Sequence, residues 1–301
     1  GKQALYNNLT GNNNTAIGVV ALLSNTIGRN NTAIGSKALG SNTTGALNVG
    51  IGKSTLYANT TGAYNTALGS CALKTNTTGT QNISVGYLSL ATNANGNFNV
   101  AVGACALNKN TSASFGVALG VSALCANTTG AKNTAVGGYA LCTNTTGTQN
   151  VAVGFTALRV NTTGNNNTAI GYESLCNNTT ASSNTAIGSS ALLADTTGGS
   201  NTAIGLNALY TNTTGACNTA VGVSTLYTNT TGERNVAIGY GALYKNTTAT
   251  CNVAIGTTAL YNNTTGVSNT AIGANVMNSN TTGRENVAMG RCALATSTTG
   301  C

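Results

Sequence analysis

Few side chains in this sequence are equipped for catalysis. There is no His, and the only acids are Glu173, Asp195, Glu233 and Glu285. Each lies in a different copy of a short repeat, so no carboxylate pair is placed for general acid–base work. The nine Cys are irregularly spaced and include no C-x-x-C pair, and without His a zinc ligand set fails. No Ser or Cys has a His to activate it as a nucleophile. Glycines at G-x-G-like spacing belong to the repeat and not to a phosphate loop. These residues point to a non-enzymatic chain with no cofactor and no metal.

Charge is equally sparse. Twelve Lys and Arg against four acids leave +8 over 301 residues, scattered through the repeats. Nucleic-acid binders concentrate Lys and Arg on one face or in one run, so nucleic acid is not an expected partner. No stretch of about 18 apolar residues implies membrane insertion, and no basic-then-apolar signal segment opens the chain. Asn, Thr, Gly and Ala fill the place of charge. Gly1 and Cys301 both fall inside the repeat pattern, which suggests one continuous array over 1–301, cut from a longer fibre whose caps are missing.

The repeat must position whatever function exists. The Gly closing an A-I-G motif recurs at Gly18, Gly35, Gly52 and every seventeenth residue to Gly290, with no insertion or deletion. The consensus unit is N-T-A-I-G-x-x-A-L-x-x-N-T-T-G-x-x. It is shorter than helical repeats, which need about 33 residues or more, and Asn, Thr and Gly are poor helix formers. The position three before the Gly is β-branched (Thr15, Thr32, Val49) and the position one before it is aliphatic (Ile17, Ile34, Ile51). These two share one side of a strand. An Ala-Leu pair follows as a second strand, and N-T-T-G makes a turn. The reading is an all-β parallel β-solenoid, or β-roll, of seventeen 17-residue coils. Stacking at strand spacing makes a rod of roughly 80 Å. A single coil cannot stabilise itself, so stability is a nearest-neighbour property.

The columns constrain the rod's surroundings. On this reading the Ile and Leu columns fill the core. The residue between the β-branched positions is Ala in almost every copy, as in Ala16, Ala33 and Ala67, with Gly50 and Ser84 as exceptions. A column kept this small implies either a packed subunit interface or a flattened coil whose own opposite wall needs small residues. The residue after Leu is Tyr at Tyr210, Tyr227, Tyr244 and Tyr261. Stacked, these form an aromatic ladder or a stripe that binds sugar or a partner. Cys125 and Cys142 share that column in adjacent coils, with Cα atoms about 5 Å apart, which is within disulfide range.

Asn opens both the strand (Asn14, Asn31) and the turn (Asn25, Asn42). The turn column creates N-x-T/S sequons, among them Asn42, Asn59, Asn76, Asn127, Asn144, Asn161, Asn212, Asn229, Asn246, Asn263 and Asn280. Pointing inward, these amides stack as a hydrogen-bonded ladder; pointing outward in a glycosylating host, they carry a row of glycans. Regular Thr rows also raise ice binding, although the adjacent Thr43 and Thr44 should point to opposite faces.

Across its whole length the N-T-A-I-G-x-x-A-L unit resembles the head repeats of trimeric autotransporter adhesins. It is also similar to repeats of phage tail-fibre and surface proteins that end in a self-cleaving chaperone domain. Asn14, Ala16, Ile17 and Gly18, with their counterparts, carry the match. The resemblance implies a left-handed β-roll, usually trimeric, exposed outside the cell and often adhesive. The family's head unit is typically shorter than 17 residues, and no stalk, anchor or chaperone segment is read here. The expected function is an extracellular fibre or filament shaft on a cell or virion surface, self-associating as a homotrimer or filament. The alternatives are an adhesin contacting a glycan, surface receptor or matrix, and an ice-binding solenoid.

Overall fold

A computed structural model describes residues 1–300. The described residues are all β and turn and include no helix, hence none long and apolar enough to cross a membrane. It divides into two compact units, 1–149 and 150–301, each a parallel β-solenoid. The first unit carries β1–β8: Thr15–Ile17, Thr32–Ile34, Val49–Ile51, Thr66–Leu68, Ile83–Val85, Val100–Val102, Val117–Leu119 and Thr134–Val136. Each pairs in parallel with the next, matching Thr15 to Thr32, Ala16 to Ala33 and Ile17 to Ile34, and so onward. The second unit carries β9–β17: Val151–Val153, Thr168–Ile170, Thr185–Ile187, Thr202–Ile204, Thr219–Val221, Val236–Ile238, Val253–Ile255, Thr270–Ile272 and Val287–Met289. Its strands pair in the same register.

Each coil holds one strand, not the two read from the sequence. The Ala-Leu segment is a chain of tight turns. The reason is that Ala38 and Leu39 are adjacent and both fully buried. A strand sends neighbours to opposite faces, so a strand would expose one of them. The backbone instead turns left-handed at the Leu column, with φ of 49° at Leu22 and 50° at Leu39, and at the residue two before it, such as Lys37 at 63°. A non-glycine residue in this region costs about 1–2 kcal/mol. Burying a leucine side chain stabilises by about 1.5–3 kcal/mol, so the Leu column offsets its own strain. Hydrogen bonding between coils continues through these turns: Lys37 N–H donates back to Val19 O (3.0 Å) and Leu39 N–H forward to Thr55 O (2.9 Å).

The strand faces are also the reverse of the expected ones. Ala33, Ala67 and Ala203 are fully buried, whereas Ile17 and Ile204 are 57% and 37% exposed. The interior is narrow: the consensus coil fills it with two Ala, one Leu and two Asn. A Cβ placed on Gly50 would lie 3.6 Å from Leu39 Cδ1, so this column already touches the opposite wall with a methyl. The Ala column is therefore small because it lines the coil's own interior, and the β-branched and Ile columns point outward. Ser84 fits the Ala column because its hydroxyl donates to Ser89 O at 2.9 Å.

The Gly18 column tolerates no substitute in seventeen coils. Gly18 has φ 135°, and a Cβ there would meet Gly35 O of the next coil at 2.5 Å. The Gly28 column lacks the positive φ and accepts Ala113, Ala181 and Ala249.

Candidate functional site

The outward side of each strand presents two columns. One is Thr or Val (Thr168, Thr185, Thr202, Thr219), with Ile83 the exception, and the other is mostly Ile or Val (Ile170, Ile187, Ile204, Val221), with Leu68, Leu119 and Met289. Both are half-buried to exposed along the sheet. β-Branched residues sit well on a pleated surface, and parallel pairing in strict register sets like against like. The result in each unit is a regular face of methyl and hydroxyl groups without a charged residue. The described residues enclose no pocket and hold no group of three or more His, Cys, Asp or Glu able to bind a metal.

The polar interior fixes this face. Asn31 Nδ2 donates to Gly45 O at 2.8 Å, and Asn42 Nδ2 donates to the same carbonyl at 2.9 Å. The two Asn of each coil thus clamp one peptide from opposite sides. Along the stack, Asn42 Nδ2 donates to Asn25 Oδ1 (2.8 Å) and Asn59 Nδ2 to Asn42 Oδ1 (2.8 Å). In the strand column Asn31 Oδ1 accepts from Asn48 N–H (3.0 Å) and Nδ2 (3.2 Å). Buried polar groups are costly unless paired, and two ladders pair them coil after coil.

The sequon residues Asn42, Asn59, Asn76, Asn127, Asn144, Asn161, Asn212, Asn229, Asn246, Asn263 and Asn280 all belong to the turn ladder and are buried. In Asn42 and Asn59 both amide hydrogens are engaged, so a folded coil presents no free nitrogen there for a sugar. The first turn Thr is committed as well, with Thr43 Oγ1 donating to Thr60 O (3.1 Å), while Thr44 is exposed.

Tyr210, Tyr227, Tyr244 and Tyr261 stack with ring centroids 5.1, 5.1 and 4.9 Å apart, and Lys245 Nζ lies 6.0 Å from the Tyr261 centroid. Their faces are spent on one another within the offset-stacking range, which leaves mainly edges for a partner. Cys125 and Cys142 occupy equivalent places in successive coils. Burial, then the charges of Cys142 and Cys105, push the Cys125 thiol up, while Lys109 pulls it down.

Sequence reasoning missed one residue. Asp195 occupies the turn-Asn column, in phase with Asn178 and Asn212, and is fully buried there. The seventeen-residue register alone marks it.

No protein-family model matches this chain, and no curated protein matches it.

Proposed function

We propose that this chain is a non-enzymatic structural protein, a shaft segment of an extracellular fibre or filament on a cell or virion surface, and that its outward Thr/Ile face seats against further copies of itself. The observation that carries this reading is the pair of unbroken outward columns. A surface left to solvent drifts in composition, as the two positions after the Gly do in Val19, Lys53, Tyr87 and Arg291. The Ile column stays aliphatic, from Ile170 through Ile187 and Ile204 to Val221, although folding does not bury it. Contiguous exposed apolar surface of this kind marks an interaction site, and a flat identical repeat suits a symmetric partner. The N-T-A-I-G resemblance to trimeric adhesin heads and phage fibre repeats supports the same reading and favours three copies.

Sedimentation equilibrium tests it. The native chain is expected to associate. Ile187→Lys with Ile204→Lys places two cations on the face and is expected to leave monomers with unchanged far-ultraviolet circular dichroism. A native chain that stays monomeric at high micromolar concentration would overturn the proposal.

A second reading, ice binding, draws on the same face. Thr and aliphatic side chains repeat there at strand spacing, as in Thr202 with Ile204. Thermal hysteresis of the native chain tests it: a measurable effect supports ice binding, and its absence overturns this second reading.

A further inference from the structure

Asp195 breaks the turn ladder in the interior of the second unit, where the flanking coils carry Asn. In the turn ladder each Asn donates one amide hydrogen to the Oδ1 of the preceding coil and the other to the carbonyl three residues on. Asn178 does so, to Asn161 Oδ1 (2.8 Å) and Ala181 O (3.1 Å). Asn212 does so as well, to Asp195 Oδ1 (2.8 Å) and Gly215 O (2.9 Å). An aspartate has no such hydrogens. The consequence is visible one coil back: among the described residues only two buried side-chain oxygens lack a partner, Asn178 Oδ1 and Asn280 Oδ1. Each precedes a place where the ladder's next member is not Asn, namely Asp195 and Ser297.

The surroundings of Asp195 are amides and peptides. Asn212 Nδ2 faces its Oδ1, Asn184 Nδ2 lies 3.4 Å from its Oδ2, and Gly198 bonds it through the backbone. Burial and the hydrogen bonds of Asn212 and Gly198 set its ionisation, and no charged side chain acts on it. A buried carboxylate without a counter-charge is expensive. A neutral carboxyl group has one proton to donate, and an orphaned acceptor, Asn178 Oδ1, sits in the preceding coil.

We propose that Asp195 is held in the folded chain as the neutral acid, that its hydroxyl donates to Asn178 Oδ1 and so completes the ladder, and that loss of this proton to solvent base opens the solenoid at this coil. Ionisation leaves a carboxylate facing a carbonyl oxygen, two acceptors with no hydrogen between them. The site is a proton-controlled weak rung in an otherwise amide-only stack. Burial pushes the Asp195 carboxyl up to about 8, against the partial opposing effect of the Asn212 and Gly198 hydrogen bonds. The rung is therefore strongest in acid and weakens progressively as pH rises from the ordinary carboxyl range to about 8.

Native-state hydrogen exchange in Asp195→Asn and the native chain tests the proposal. The amides of Thr196 and Thr213 flank the rung, and the ratio of their protection factors between the two proteins cancels intrinsic exchange chemistry. One proton released per opening makes the native chain's opening constant rise about tenfold per pH unit between pH 5 and 8 relative to the variant. Distant coils such as that of Thr264 should keep a constant ratio. The variant restores the column's own residue and is expected to fold. As a second measure, the native chain should show an infrared band of a protonated carboxyl at pH 6.5 that the variant lacks. A pH-independent ratio, or no such band, would overturn the proposal. Either outcome is independent of whether the chain self-associates.

Discussion

Substituting two adjacent strand residues separates the observed faces from the opposite arrangement. Ala203 and Ile204 are neighbours on β12, the first fully buried and the second 37% exposed. Ala203 stacks between Ala186 and Ala220, and the equivalent Cβ at Gly50 already lies in contact with a Leu of the opposite wall. Ala203→Val adds two methyl groups where no space remains. Overpacking of this kind costs about 1–3 kcal/mol. Ile204→Ala removes atoms that are partly in water, so its cost should stay below about 1.5 kcal/mol. A fully buried Ile would cost about 2–5 kcal/mol on the same truncation. Guanidinium unfolding followed by circular dichroism, at concentrations where the protein is monomeric, gives both numbers. The dilution matters because association adds apparent stability by mass action. If Ile204→Ala costs more than about 3 kcal/mol in the monomer while Ala203→Val is neutral, the Ile column fills the core and the inward Ala assignment fails.

Three further outcomes follow from the columns. Gly205 has φ 133° and a Cβ there would meet Gly222 O at 2.5 Å. Gly205→Ala should therefore cost about 3 kcal/mol or more by equilibrium unfolding; Gly215→Ala also brings a Cβ against a backbone oxygen, Gly232 O, but adds no positive-φ strain and sits in the column that holds Ala181 and Ala249, so it should cost less than Gly205→Ala. Gly116 takes the place of a strand-ladder Asn, leaving its own N–H donating to Asn99 Oδ1 at 2.9 Å. Gly116→Asn restores the rung and removes a glycine's conformational freedom, and should raise stability by about 1–2 kcal/mol in thermal or denaturant melts. The Cys125 thiol is pushed up by burial and by the neighbouring Cys142 and Cys105, so less of it is thiolate at pH 8. Alkylation there should be slower than at the exposed Cys217 and Cys251, as peptide mass mapping over time would show, and the gap should narrow as pH rises toward 10.

Periodicity made the solenoid legible. An insertion-free 17-residue register with β-branched residues flanking one Ala admits a parallel strand in every coil, and β1 to β17 begin at the expected β-branched residue. The same periodicity could not say which side of the strand was inside. Alternation separates Thr202 and Ile204 from Ala203 but is symmetric under inversion, and hydrophobicity then favours the wrong face. What decides is volume: the interior must also hold Asn201, Leu209 and Asn212 within one coil, and an Ile in place of Ala203 would not fit among them. The second strand was misread for a related reason. Two consecutive inward residues, Ala208 and Leu209, cannot lie on a strand, and only the left-handed φ of 52° at Leu209 lets both enter the core.

The two inversions bear on function together. With Ala inside, the constancy of the Ala column follows from the coil's own packing and says nothing about neighbours. The constancy that folding does not explain belongs to the outward column of Ile170, Ile187 and Ile204. An aliphatic column kept half in water along a sheet is contiguous exposed apolar surface of the kind that marks an interaction site. A candidate interface therefore lies on the face of the strand opposite the Ala column. If copies seat on that face as proposed, their specificity would rest on the alternation of Thr with Val beside the Ile column, since a hydroxyl at Thr202 and a methyl at Val236 differ in what a partner must supply. Exchanging Thr202 and Val236 conserves composition while shifting that pattern. If copies seat in a fixed register, the exchange should weaken association in sedimentation equilibrium by several-fold; equal association would mean that the face acts as a uniform apolar strip.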